Sequence, residues 1–279
     1  MKLEITKEDF EAAVPAAREP KGQIFEVMID SINAKVDEIG FYILGDPGTE
    51  VVENGEGYAA DCLRHKVKRL ACVSAFLEQM RGLDLVLTAT GFGVVSTNDT
   101  APASKMRVDS LEGELRKREM IIRSDIVAAL FSVEGWSDTE QRRHNVETLF
   151  YYFNLLRLSA GITNPKPEDW DVNVPVMLEA NSHLRKHIGN AYMDELLAQL
   201  TSHKLTEENL QVVVLCQKYI GACVAQNQRL KSEMYMRLIN LLENNLDKYS
   251  TYANGEGYKL NHFKPYENHA NDSAFHFVG

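Results

Sequence analysis

Apolar residues recur at spacings of three and four along most of the chain, which is the period of an amphipathic helix. The first clear stripe contains Phe25, Met28, Ile32, Val36, Ile39 and Ile43. The turn residues Gly45-Asp46-Pro47-Gly48 predict its end. Further stripes predict helices over about 58–80, 108–130, 175–200 and 206–246, the last with a bend near 226–232. The expected fold class is therefore mainly α, a multi-helix bundle.

One segment departs from the helical period. Leu85 and Leu87 alternate with Val86 and Thr88, Thr90-Gly91 with Gly93 offers positions for positive φ, and residues 94–97 return. This pattern predicts one inserted β-hairpin at about 85–97, with Phe92 between two glycines at its tip. We expect Phe92 to serve protein contacts more than folding, because a core side chain is uncommon in such a position.

The C-terminal segment loses the helical period from Tyr249 onward and becomes rich in Asn, Gly and His. It is therefore predicted to be an irregular tail over 249–279. Near its end, Phe275 and Phe277 alternate with other residues, so they would share one face of a strand. They are candidates for contact with a neighbouring subunit, and packing of the tail on its own chain is the alternative.

The predicted elements divide into an N-terminal helical half with the hairpin (1–135), a C-terminal helical half (136–248) and the tail, together one compact unit. Val27-Met28-Ile29-Asp30 aligns with Val176-Met177-Leu178-Glu179 at the same offset that aligns Ile39-Gly40 with Ile188-Gly189. A duplication of one helical unit would explain this alignment. The general likeness of amphipathic helices would explain it too, so the sequence leaves the question open.

Composition excludes some classes of function. The 279 residues include 40 acidic and 30 basic side chains, a net charge of −10, which disfavours binding to nucleic acid. No segment has the length and apolarity of a membrane span, and the N-terminus lacks a secretory signal, so a soluble intracellular protein is expected. The four cysteines, Cys62, Cys72, Cys216 and Cys223, lie in apolar helical contexts without metal-site spacing and are expected to be free thiols.

Candidate chemistry is sparse. His183 and His187 are four residues apart on a predicted helix, which is metal-ligand spacing, but Arg185 and Lys186 between them disfavour a cation. Gly91-Phe92-Gly93 is followed by a predicted strand, whereas a dinucleotide loop requires a helix there. We therefore predict no catalytic, cofactor or metal site and no enzymatic activity, although a site assembled from distant residues stays open.

The stretch Leu85-Val86-Leu87-Thr88-Ala89-Thr90-Gly91-Phe92-Gly93-Val94-Val95-Ser96, followed by Ala101-Pro102-Ala103-Ser104-Lys105 and Arg107, resembles an uncharacterised family encoded by phages and prophages of Bacteroides-type bacteria. Its members look like virion structural proteins near the portal, of the head–tail connector or adaptor kind. The resemblance implies a ring-forming homo-oligomer that contacts portal or other virion proteins, and it supplies no catalytic residues.

That resemblance places the protein in the bacterial cytoplasm during assembly and in the virion of an active phage. It implies neither a membrane partner nor sequence-specific nucleic-acid binding. Two alternatives are another morphogenesis factor, such as a tail-completion or scaffold-like protein, and an intracellular enzyme or regulator with a dispersed site.

Overall fold

The computed structural model describes residues 1–17, 23–83, 85–88, 91–94 and 104–262. The helices of the N-terminal half are α1 (Lys7–Ala13), α2 (Gln23–Ile39), α3 (Gly45–Asn54), α4 (Tyr58–Gln79) and α5 (Lys105–Leu130). Those that follow are α6 (Glu140–Asn145), α7 (Leu155–Leu158), α8 (Pro167–Ile188), α9 (Asn190–Thr201), α10 (Glu207–Val224), α11 (Gln228–Glu243), α12 (Ser250–Ala253) and α13 (Glu256–Asn261). The prediction of a mainly α fold is confirmed.

Each half is organised around one central helix. In the N-terminal half α4 packs against α1, α2 and α5, and in the C-terminal half α10 packs against α8 and α11. One cluster of buried apolar side chains runs through both halves. Within the two halves, the series α2 to α5 and α8 to α11 share the order long helix, short helix, long central helix, long helix. This shared order supports the hypothesis of a duplicated unit.

The predicted β-hairpin over 85–97 is wrong in its extent and its turn. The described residues contain only two four-residue strands, β1 (Leu85–Thr88) and β2 (Gly91–Val94), with Leu85 opposite Val94 and Thr88 opposite Gly91. The glycines predicted to form the turn lie in β2, because glycine adopts extended backbone as readily as positive φ. Residues 95–97 lie outside the described ranges, so the long projecting hairpin of the predicted fold class is not seen.

The predicted irregular tail is wrong for residues 249–262. The short helices α12 and α13 occupy this part of the chain, and Tyr252 is fully buried. Asn261 Nδ2 donates a hydrogen bond to the His187 carbonyl oxygen at 3.0 Å, which fixes α13 against the end of α8. Helices of four and six residues are too short to give a readable apolar period, and this explains the error. Residues 263–279 lie outside the described part of the chain.

The predicted helix boundaries are partly wrong. At Gly45 the backbone reaches φ +61°, and the chain turns there into α3 instead of leaving helical structure. The predicted helix over 175–200 is two helices that Gly189 divides at φ +92°. The predicted helix over 58–80 is confirmed, and so is a break at the start of 226–232, where Gln226 adopts φ +53° between α10 and α11.

Candidate functional site

A π-helical turn, Gly40–Leu44, follows α2 and exposes two aromatic side chains. Phe41 is 69% exposed and Tyr42 is 62% exposed, whereas Ile43 and Leu44 are buried. The rings of Phe41 and Tyr42 meet edge to face, with centroids 4.8 Å apart. Single π-helical turns are rare and are frequent at functional sites, so this turn is the first candidate for a contact surface.

Side chains from the segment 136–145 hold the π turn in place. Three of them donate hydrogen bonds to its carbonyl oxygens: Trp136 Nε1 to Ile43 at 3.0 Å, Gln141 Nε2 to Phe41 at 2.9 Å, and Asn145 Nδ2 to Tyr42 at 2.8 Å. These bonds satisfy backbone acceptors that would otherwise need water or another partner. The exposed aromatic pair therefore projects from a fixed backbone.

Beside the pair lies a groove of about 870 Å³, bordered by α2, α4, α5, α6 and the start of α8. We call it the aromatic groove. Its apolar wall includes Ile39, Leu70, Met120, Val127, Tyr151 and Trp170, and Phe41 and Tyr42 line its rim. A concave surface with apolar walls next to exposed aromatic side chains is suited to receive apolar side chains of a partner.

Several polar groups in and beside the groove are paired with one another. Lys35 Nζ bonds Glu38 at 2.8 Å and Glu78 at 3.0 Å. Burial works to lower the pKa of Lys35, but the hydrogen bonds to the two carboxylates outweigh it and raise that pKa. Ser74 Oγ donates to the Glu119 carboxylate.

Arg123 also lines the groove. It donates to Asn145 Oδ1 at 3.2 Å, and it has no carboxylate partner within the described ranges. An exposed guanidinium at the rim is a ready donor for a carboxylate or carbonyl oxygen of a partner.

The predicted histidine pair is brought together between α8, α10 and α11. The rings of His183 and His187 lie with centroids 4.4 Å apart, and the Tyr219 hydroxyl is 3.0 Å from His183 Nδ1. Burial lowers the pKa of both histidines; the charges of His187, Lys231 and Lys186 lower that of His183 further. No cluster of three or more His, Cys, Asp or Glu that could hold a metal occurs among the residues described.

Lowering the pH is expected to destabilise this cluster. Because the folded-state pKa values lie below the ordinary histidine value of about 6.5, the unfolded chain binds more protons in mild acid. This contribution to stability is complete above the unfolded pKa and is lost as the pH falls towards the folded values. Urea unfolding at pH 7.5 and pH 5.5 measures the loss.

The variant His183→Gln/His187→Gln should lose less stability between the two pH values than the wild type does. His65→Gln, on an exposed position of α4, is the matched control. It should lose as much stability between the two pH values as the wild type does. An undiminished loss in the double variant would contradict the assignment of the pH effect to this pair.

Two of the four cysteines are shielded from reaction. Cys72 and Cys216 are buried, and burial raises the pKa of each thiol to about 12. Because the thiolate is the reactive form, these two thiols are inert at neutral pH. Cys62 and Cys223 are half-buried and free.

Of the three residues predicted as protein contacts, only Phe92 lies within the described ranges. Phe92 lies in β2 opposite Leu87, and Phe275 and Phe277 fall outside the described ranges. Sequence reasoning missed Phe41 and Tyr42. The sequence did contain a signal for them, because both aromatic residues lie off the apolar stripe that continues from Ile39 to Ile43.

A comparison with known protein families matches part of the chain. Residues 46–146 match the model of a family of unknown function, DUF6712. The matched segment includes the groove residues Leu70 and Met120 and the side chains that hold the π turn, but it excludes Phe41 and Tyr42. No curated protein and no solved structure matches the chain. Across the described ranges, no helix is long and apolar enough to cross a membrane.

Proposed function

We propose that this chain is a structural protein of a phage or prophage, of the head–tail connector kind, that works through protein–protein contacts. Its partners would be copies of itself and portal or other virion proteins. The observation that supports this proposal is the exposed Phe41–Tyr42 pair, fixed on a π turn at the rim of the aromatic groove. The resemblance of residues 85–107 supplies the virion context.

The physical argument rests on the exposed aromatic rings. Large aromatic side chains supply much of the binding energy of protein interfaces, particularly where they meet pockets that exclude water. The hydrogen bonds from Trp136, Gln141 and Asn145 fix the backbone before binding, which lowers the entropy lost on association. Contacts between unlike surfaces of successive copies close into a ring when the rotation permits. The net charge of −10 would let DNA pass such a ring without adhering.

The test removes both rings from the surface. Phe41→Ser/Tyr42→Ser should weaken association by about 700-fold or more, since hot-spot side chains contribute about 2 kcal/mol or more each and about 1.4 kcal/mol corresponds to a factor of ten. Its melting temperature should change little, because both side chains are exposed. Sedimentation velocity over a dilution series measures the association of the wild type and the variant.

Tyr58→Ser is the matched control, because Tyr58 is 86% exposed but lies outside the aromatic groove. It should associate like the wild type. A wild-type chain that stays monomeric and does not bind a co-produced portal protein would contradict the proposal, as would unchanged association of the double variant.

A further inference from the structure

The end of the described chain is anchored at one end of α8, and the aromatic groove lies at the other. Asn261 bonds the His187 carbonyl oxygen near the C-terminus of α8, whereas Trp170 lines the groove from its first turn. At a rise of 1.5 Å per residue, the 17 positions between His187 and Trp170 correspond to about 25 Å. This distance separates the point of exit of the chain from the groove.

The chain continues beyond His262 through residues that lie outside the described ranges. Phe275 comes 13 residues after His262, a distance that an extended chain spans up to about 45 Å. This reach exceeds the distance of about 25 Å to the groove, so the segment is long enough to arrive there. A tethered segment whose span matches its target reaches an effective concentration in the millimolar range.

We propose that Phe275 and Phe277 dock into the aromatic groove of their own chain. They alternate with His276, so an extended segment places both rings on one face and His276 on the other. Tyr151, Trp170 and Met120 offer the rings an apolar wall. The same chain is the favoured source, because its effective concentration exceeds the micromolar concentration of neighbouring copies.

The effect of this docking on assembly rests on the proposed function. The tail covers the groove that a partner would use, so a partner must displace it before binding. The apparent affinity of the chain for a partner is then reduced by the fraction of molecules in which the groove is open. The protein would thus carry its own restraint on premature assembly.

Trp170 provides the measurement. The chain has two tryptophans, and Trp136 is fully buried, so a change of polarity in the groove is reported by Trp170 emission. In the full-length chain, Phe275→Ala/Phe277→Ala should red-shift this emission and increase its quenching by acrylamide. The difference should persist unchanged on dilution. His276→Ala is the matched control and should behave like the wild type.

Three results decide the proposal. Identical emission from the double alanine variant and the wild type would overturn the docking. A difference that fades on dilution would assign the tail to a neighbouring copy and overturn docking within the chain. Phe275→Leu/Phe277→Leu keeps apolar bulk and should retain the wild-type emission, which separates docking from a loss of folding. Failure of the proposed function would appear instead as normal association of the Phe41→Ser/Tyr42→Ser variant, with the emission result unaffected.

Discussion

Replacing Trp136 with alanine is expected to lower the free energy of unfolding by about 3–5 kcal/mol, the usual cost of truncating a buried tryptophan. Trp136 is fully buried, and its ring lies 6.0 Å from that of Phe131. The substitution opens a cavity and also leaves the Ile43 carbonyl oxygen without its donor. Urea unfolding followed by circular dichroism measures the loss.

Two further variants separate the cavity from the hydrogen bond. Trp136→Phe keeps much of the ring volume but removes the donor, so it should cost about 1–3 kcal/mol. Gln141→Ala removes an exposed hydrogen bond to the same π turn and should cost about 1 kcal/mol or less. A Trp136→Ala variant that unfolds like the wild type would show that this side chain neither fills the core nor supports the turn.

The helical period was sufficient to predict the regular parts of the fold. α4 and the break between α10 and α11 are regular enough to be located from apolar spacing. The Gly45–Gly48 segment was misread as a stop because glycine and proline are accepted in the first turn of a helix as well as beyond its end. The first strand was predicted correctly, but the second was placed too late in the chain, because Gly91 and Gly93 were read as turn residues although they lie in β2.

The candidate site depends on contacts that lie far apart in the sequence. The donors that hold the π turn are 93 to 103 residues away from their acceptors along the chain. No local pattern reports such pairings, so the widening of the helix at Gly40 could not be predicted. What the sequence did contain was a pair of aromatic residues off the apolar stripe, Phe41 and Tyr42, and exposure follows from that position.

Replacing Gly221 with alanine is expected to destabilise the fold by about 1–3 kcal/mol, the usual cost of overpacking a core. Gly221 is buried in α10, and a Cβ atom there would overlap the backbone carbonyl group of Ser159. Ser159 directly follows α7, whose residues Leu155 and Leu156 are buried, so this backbone cannot withdraw without disturbing the core. The clash outweighs the roughly 1 kcal/mol by which alanine favours a helix over glycine.

Gly113→Ala is the matched control, and it should stabilise the fold instead of destabilising it. Gly113 is exposed in α5, and a Cβ atom there would meet no other atom within 4 Å among the residues described. Only the higher helix propensity of alanine then acts, so the free energy of unfolding of this variant should rise by about 0.5–1 kcal/mol. Paired thermal and urea unfolding of the two variants gives the comparison, and stabilisation by both would show that α10 does not pack against the Ser159 backbone.

The effect of Gly221→Ala should extend to the aromatic groove. The segment that carries Ser159 also carries Tyr151, which lines the groove, and Gln217 of α10 holds that segment through a hydrogen bond to the Leu149 carbonyl oxygen at 3.0 Å. If alanine at position 221 pushes this segment away from α10, one wall of the groove moves with it. The variant should therefore associate more weakly than the wild type even at temperatures where it remains folded, whereas Gly113→Ala should associate normally. Normal association of folded Gly221→Ala would place the contact surface elsewhere on the molecule.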